Sequence, residues 1–276
     1  MMDKKEMVDK LPRFIVGIDL GTTNSAVAYV DTEAHSEGEK EEIQVFPVLQ
    51  MVAPGTLEKR DTLPSFHYQG TVMERESDAV MNQMEINEAV VGVYARDHGM
   101  FMPGRMVSSA KSWLSHAGVD RMAKLLPWHV RREENGEEKT ENADVKKLSP
   151  VEVSAAYLQH VVRAWNAQFP EEPLVRQDVI LTIPASFDEV ARELTVRAAK
   201  MAGLDRVVLI EEPQAAFYAW ISKHTQTWEE EVHPGQKILV CDIGGGTTDF
   251  TLIRVRSVHD QEGMVDKSDD FMPDTL

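Results

Sequence analysis

The sequence predicts an α/β protein built on a mixed sheet with flanking helices. Three observations carry that reading. Residues 178–221 run strand, helix, strand, helix, a rhythm that makes the two strands parallel and joins them by a crossover. Two hairpins, "GIDLGTTNSAVAYV" at 17–30 and "VCDIGGGTTDFTLI" at 240–253, supply antiparallel partners. The chain has 276 residues, 42% of them hydrophobic, which is enough for one large domain or two lobes around a sizeable core.

The elements follow in order. Residues 1–13 hold no apolar run and read as a tail, not a secretion signal. Phe14 to Leu20 is apolar and β-branched, follows Pro12, and reads as a strand, with Ser25 to Val30 as its partner. The acidic run 31–42 is a solvated loop or hairpin tip, after which "IQVFPVL" (43–49) resumes as a strand. Asp61 to Tyr68 reads as another short strand. In 104–118, Met106, Ala110, Trp113 and Leu114 fall at helical spacing, with Gly118 as the stop. The highly charged run 131–147 is an exposed loop.

Ser149 and Pro150 open a helix carrying Val153, Ala156, Tyr157, His160, Val161 and Trp165. "DVILTIP" (178–184) is a buried strand. Ser186 and Glu189 are spaced as a capping box for a helix that places Val190, Leu194, Ala198 and Met201 on one face and ends at Gly203. "RVVLI" (206–210) is a second buried strand, and Pro213 sits in the first turn of the next helix. Pro234 and Gly235 turn the chain into the second hairpin, and the acidic tail after Ser257 is expected to be poorly ordered.

The net charge of −17 argues against broad binding to nucleic acid or anionic membrane, because both need a positive surface. Any phosphate must then be held by backbone N–H groups, a lysine or a cation. The one cysteine, Cys241, cannot form an internal disulfide, which favours a reducing compartment. Its apolar strand predicts a buried, inert thiol. No window approaches the ~18 apolar residues of a membrane span. The expected location is the cytoplasm.

The two hairpins share one arrangement. Each has an apolar strand, Asp, one apolar residue, Gly, a short turn with Thr, and a second apolar strand. Asp19-Leu20-Gly21-Thr22-Thr23 matches Asp242-Ile243-Gly244-Gly245-Gly246-Thr247. Glycines let a ligand approach the backbone, successive N–H groups form an anion-binding concavity, and threonine hydroxyls add donors. An aspartate at the strand end only accepts hydrogen bonds, so it would repel phosphate unless a cation stands between. Mg²⁺ suits that place because it keeps several waters and pairs with carboxylates and phosphates. Two such turns facing each other would clamp the phosphates of a nucleotide. No "GK[ST]" loop and no helix-opening G-x-G-x-x-G are present.

"GIDLGTTNSAVA", "VILTIPASFDEVARELTVRAAKMAGL", "IEEPQAAFYAW" and "VCDIGGGTTDFTL" resemble the nucleotide-binding domain of the 70-kDa heat-shock chaperone family, within the actin-like ATPase superfamily. The resemblance covers about 14–256 and is weakest over 70–148. It implies the ribonuclease-H-like fold of that superfamily, with ATP or ADP and Mg²⁺ as cofactors. By match, Asp19 and Asp242 hold Mg²⁺ through waters, as does Glu212. Gly21, Thr22, Thr23, Asn24, Gly244, Gly245 and Gly246 line the phosphates, Thr247 lies near the γ-phosphate, and Asp249 is nearby. Lys111 resembles the catalytic lysine of the family, although a lysine on a short helix is otherwise a solvated side chain. Pro184 resembles the proline that couples nucleotide state to the partner domain. Asp19, Asp242, Glu212, Lys111 and Thr247 form the implied catalytic set. The implied function is slow ATP hydrolysis that switches the grip of a chaperone on polypeptide clients, with co-chaperones as further partners.

The sequence also departs from the family. Glu211 stands where asparagine is usual, Gln214 where threonine is, Ser186 where tyrosine is, and Thr248 where an aromatic is frequent. These differences bear on coupling and hydrolysis rate more than on phosphate binding, and suggest a divergent, bacterial-type member. The family's second lobe continues well past the second hairpin. The expected organisation is therefore a complete first lobe at 14–234, with a core at about 14–50 and 149–234 and an insertion at about 51–148. A second lobe is only begun at 235–256, and 257–276 is a polar tail. Such a piece is expected by itself to bind ATP weakly or not at all and to be inactive or very weakly active. Rival readings are a sugar or acetate kinase, an actin-like scaffold, and a descendant that binds without hydrolysis.

Overall fold

A computed structural model describes residues 11–34, 42–76, 89–128, 144–245, 248–257 and 274–275. The described residues open with β1 (Phe14–Asp19) and β2 (Asn24–Asp31), an antiparallel hairpin whose register pairs Asp19 with Ala26. Phe14, Val16 and Ile18 alternate inward along β1 and are fully buried. Next come β3 (Gln44–Val45), β4 (Val48–Ala53), β5 (Thr56–Arg60), β6 (Thr62–Pro64) and β7 (Phe66–Gln69). The short strand predicted over 61–68 is thus two strands, broken at Ser65, which pair in different sheets. Helix α1 (Val72–Glu76), β8 (Ala89–Val91), α2 (Val93–Gly99), β9 (Met106–Ser108) and α3 (Ala110–Leu114) follow. Met106 does not join the predicted helix. It pairs with Tyr68 in a strand, so sheet pairing overrides the helical spacing and shortens α3 to five residues.

Helix α4 (Pro150–Gln168) begins as expected. The Ser149 hydroxyl accepts from the Glu152 N–H, and the Glu152 carboxylate accepts from the Ser149 N–H at 2.7 Å. Strand β10 (Asp178–Ile183), α5 (Glu189–Met201), β11 (Val207–Glu211) and α6 (Glu212–Lys223) form the predicted crossover unit, with β10 and β11 parallel. The cap of α5 is Asp188, whose carboxylate accepts from the Ala191 N–H at 2.8 Å, and not Ser186. Arg121 holds the same carboxylate through two hydrogen bonds of 2.7 and 2.8 Å. The buried face of α5 is Ala191, Leu194, Thr195 and Ala198, while Val190 and Met201 of the predicted face are exposed. Gly203, at φ +86°, ends the helix as expected. Strand β11 is not fully buried. It is the last strand of its sheet, and Val208 is 64% exposed.

The main sheet has the order β11-β10-β1-β2-β3, with β6 also on β2. Strand β1 therefore has a parallel neighbour, β10, and an antiparallel one, β2. Helices α4 and α5 pack together against it, around Phe14, Phe46 and Trp165, all at most 1% exposed. A smaller sheet, β8-β7-β9, has its own cluster of Met51, Tyr68, Val90, Tyr94 and Ala95. Past α7 (Trp228–Glu231), β12 (Lys237–Ile243) and β13 (Thr248–Arg254) make the second hairpin. Most of the tail predicted to be disordered lies outside the described residues. Its β14 (Asp274–Thr275) pairs with β13. The bulk of the charged runs 31–42 and 131–147 also lies outside them.

Candidate functional site

The two look-alike turns face one cleft of about 540 Å³. Asp19, Gly21, Thr22, Thr23 and Asn24 line it from the first hairpin, and Asp242, Gly244 and Gly245 from the second. Their approach is close. A methyl group on Gly245 would lie 1.9 Å from the Thr23 hydroxyl oxygen, and one on Gly21 would lie 2.0 Å from the Asn24 carbonyl oxygen. Both positions therefore need glycine for space. The first turn is braced from behind. The Ser65 hydroxyl donates to the Gly21 carbonyl at 2.7 Å, and the Ser65 N–H donates to the Thr23 carbonyl at 2.8 Å. Ser65 is fully buried and was not legible as a site residue, because nothing local links it to residues 21–23.

Lys111 and Glu212 enter from the sides. Lys111 sits on α3 behind Ser109, a non-glycine residue in the left-handed region at φ +55°, where a side chain is strained. It is only 7% exposed, so it is not the solvated lysine of a surface helix. Its ammonium donates to the Glu212 carboxylate in an ion pair. Glu212 is the first residue of α6, fixed there by Pro213 in the first turn. Burial pushes the Glu212 carboxyl above the usual carboxylate range. Lys111 opposes that shift, and Asp19 and Asp242 add to it by repulsion. The three carboxylates thus lie within electrostatic reach of one another across the cleft.

Asp19 ends β1, and its carboxylate accepts from the Thr182 hydroxyl of β10 at 2.7 Å. Thr182, Ser112, Ser115, Pro184, Ser186 and Phe187 also line the cleft. Of these, the sequence singled out Pro184 and Ser186. Asp249 is register partner to Asp242 but lies outside the cleft lining. Gly246 and Thr247 fall outside the described residues. Cys241 corrects the expectation of a buried thiol. Residues of β12 alternate, and Leu239, Cys241 and Ile243 occupy the exposed side of its outermost strand. Cys241 borders the cleft and an apolar groove lined by Phe217, Trp220, Val232 and Ile238, but strand alternation turns its thiol to the face opposite Val240 and Asp242.

Among the described residues no three His, Cys, Asp or Glu side chains converge closely enough to cage a metal ion directly. An all-oxygen donor set of carboxylates and hydroxyls, with glycine cradles beside it, instead fits a hydrated hard cation carried on phosphate oxygens.

Fold and cleft together define a mixed α/β protein with two glycine turns closing on an acidic, lysine-bearing site. The sequence model of the Hsp70 protein family matches residues 74–260, and the chain belongs to that family. It is 26% identical over 248 residues to the chaperone protein DnaK of Stenotrophomonas maltophilia (strain R551-3), a match covering 88% of this chain. The match spans 33% of that relative's length. No helix among the described residues is long and apolar enough to cross a membrane.

Proposed function

We propose that this chain is the ATP-binding and slowly ATP-hydrolysing part of a cytoplasmic chaperone, in which nucleotide state controls the grip on polypeptide clients and co-chaperones regulate the cycle. Family membership supports that reading over a sugar kinase or an actin-like scaffold. The observation that carries it is the convergence of both glycine turns, Asp19, Asp242 and the Lys111–Glu212 pair on one cleft.

Gly21, Thr22, Thr23 and Asn24 hold the phosphates from one side, and Gly244, Gly245, Gly246 and Thr247 from the other, with Asp249 behind. Asp19, Asp242 and Glu212 would hold Mg²⁺ through its waters, and the ion would supply positive charge against the phosphates. Water attacks the γ-phosphorus in line. The new P–O bond forms as the bond to the bridging oxygen breaks, and the water proton passes to Glu212. Such transfer needs positioning and charge balance more than covalent chemistry. A carboxyl raised by burial is a better base for that step than an exposed one. Lys111 leaves Glu212 to balance charge on the γ-phosphoryl group, so the ion pair is a resting arrangement that ATP opens. Pro184 passes the change to the partner domain. We assign 14–50 and 149–234 to the core of a first lobe, 51–148 to its insertion, and 235–256 to the start of a second.

The test is single-turnover ATP hydrolysis by the protein and its Lys111→Ala variant. Loss of the lysine lowers the rate about 100-fold with ATP affinity falling much less. Equal rates in both proteins would remove Lys111 from the mechanism.

A further inference from the structure

Thr182 has no assigned role, yet among the described residues its hydroxyl makes the one hydrogen bond to the carboxylate of a cleft aspartate. Strands β1 and β10 are parallel neighbours, and Thr182 is the register partner of Asp19. Register partners project to the same face of a sheet, so the pairing itself brings hydroxyl and carboxylate together. An ionised carboxylate only accepts, so the single hydroxyl proton of Thr182 points at Asp19 Oδ1, 2.7 Å away. The second oxygen, Oδ2, has no protein partner among the described residues and belongs to a side chain that lines the cleft. Both residues sit at strand ends held by five consecutive register pairs, so their backbones cannot move independently.

Asp242 contrasts with this. It lines the cleft from the second hairpin with no hydrogen bond to its carboxylate among the described residues. One aspartate is therefore oriented before any ligand arrives and the other is free to adjust.

We propose that Thr182 is a positioning residue. Its hydroxyl fixes the rotation of the Asp19 carboxylate, so that Oδ2 is presented to the water shell of the nucleotide-bound cation, and this sets the affinity of the nucleotide complex for a divalent cation. The proposal rests on the nucleotide reading above. Groups that orient the ligands of a cation commonly contribute 10–100-fold to its affinity.

The experiment uses Mn²⁺ as a paramagnetic stand-in for Mg²⁺, titrated into the protein with saturating ADP and followed by electron paramagnetic resonance. ADP affinity without divalent cation is measured in parallel by calorimetry. Thr182→Val keeps the shape and removes the donor, whereas Thr182→Ser keeps the donor. The valine variant is expected to bind Mn²⁺ about 10-fold more weakly in the ADP complex. Its cation-free ADP affinity and melting temperature should stay near those of the parent, and the serine variant should restore the Mn²⁺ affinity. Unchanged Mn²⁺ affinity in the valine variant overturns the positioning role alone. So does a parallel loss of cation-free ADP affinity that serine does not rescue. Failure of the unsubstituted protein to bind ADP at all overturns the nucleotide reading, and the positioning role with it.

Discussion

At Gly245 one methyl group decides whether the two turns can meet, since it would overlap the hydroxyl of Thr23. Overpacking of this kind costs roughly 1–3 kcal/mol. Gly245 lies in the turn, outside the paired residues of its hairpin, so the cost falls on closure of the cleft. Gly245→Ala is expected to lower ADP affinity on the order of 10-fold, read by calorimetry, while the melting temperature stays within a degree or two. A large fall in melting temperature with intact affinity would place the glycine in folding instead. Residues of this sort were legible because glycine, threonine and aspartate cluster in a short window. Thr182 and Ser65 were not. Each acts on a residue far away in sequence, 163 and 44 positions from its partner, and only sheet register reveals the contact.

Helix starts show the same division at the next scale. Ser149 was readable because its capping box is closed within four residues, and both reciprocal hydrogen bonds form. Ser149→Ala is expected to destabilise the protein by about 1 kcal/mol in a denaturant titration. Ser186 offered the same spacing to Glu189, but Arg121, distant in sequence, recruits Asp188 as the cap of α5. Ser186→Ala should leave stability near its starting value, and a drop comparable to that of Ser149→Ala would return the cap to Ser186. The parallel pair β10 and β11 was legible from length and apolar runs, whereas the edge position of β11 was not, because strand order is a property of the assembled sheet.

For the molecule as a whole, acid is the expected weakness. His67 and His160 are fully buried, and burial pushes both down to about 4. Unfolded, each titrates near 6.5. Between those values the unfolded chain holds more protons than the folded one, so stability falls as pH drops from about 6.5 towards 4 and levels off below. Asp188 follows a different course. Its hydrogen bonds to Arg121, and then to the Ala191 N–H, hold its carboxyl down at about 2, so its contribution persists above 3.8 and disappears only as pH falls through about 2. Glu212 acts in the opposite sense, because its raised carboxyl favours the folded state on protonation. Calorimetric melting from pH 7 to 4.5 should therefore show a steady decline, and His160→Gln should reduce its slope by about half. A flat profile would mean that neither imidazole stays neutral.

Cys241 is the sequence's lone thiol, and it stands exposed on β12 one residue before Asp242, at the border of the cleft. A maleimide dye would attach there and nowhere else, with no prior mutagenesis. Its colour or anisotropy would then follow the arrival and departure of whatever occupies that space, turning an ordinary surface sulfur into a built-in optical gauge.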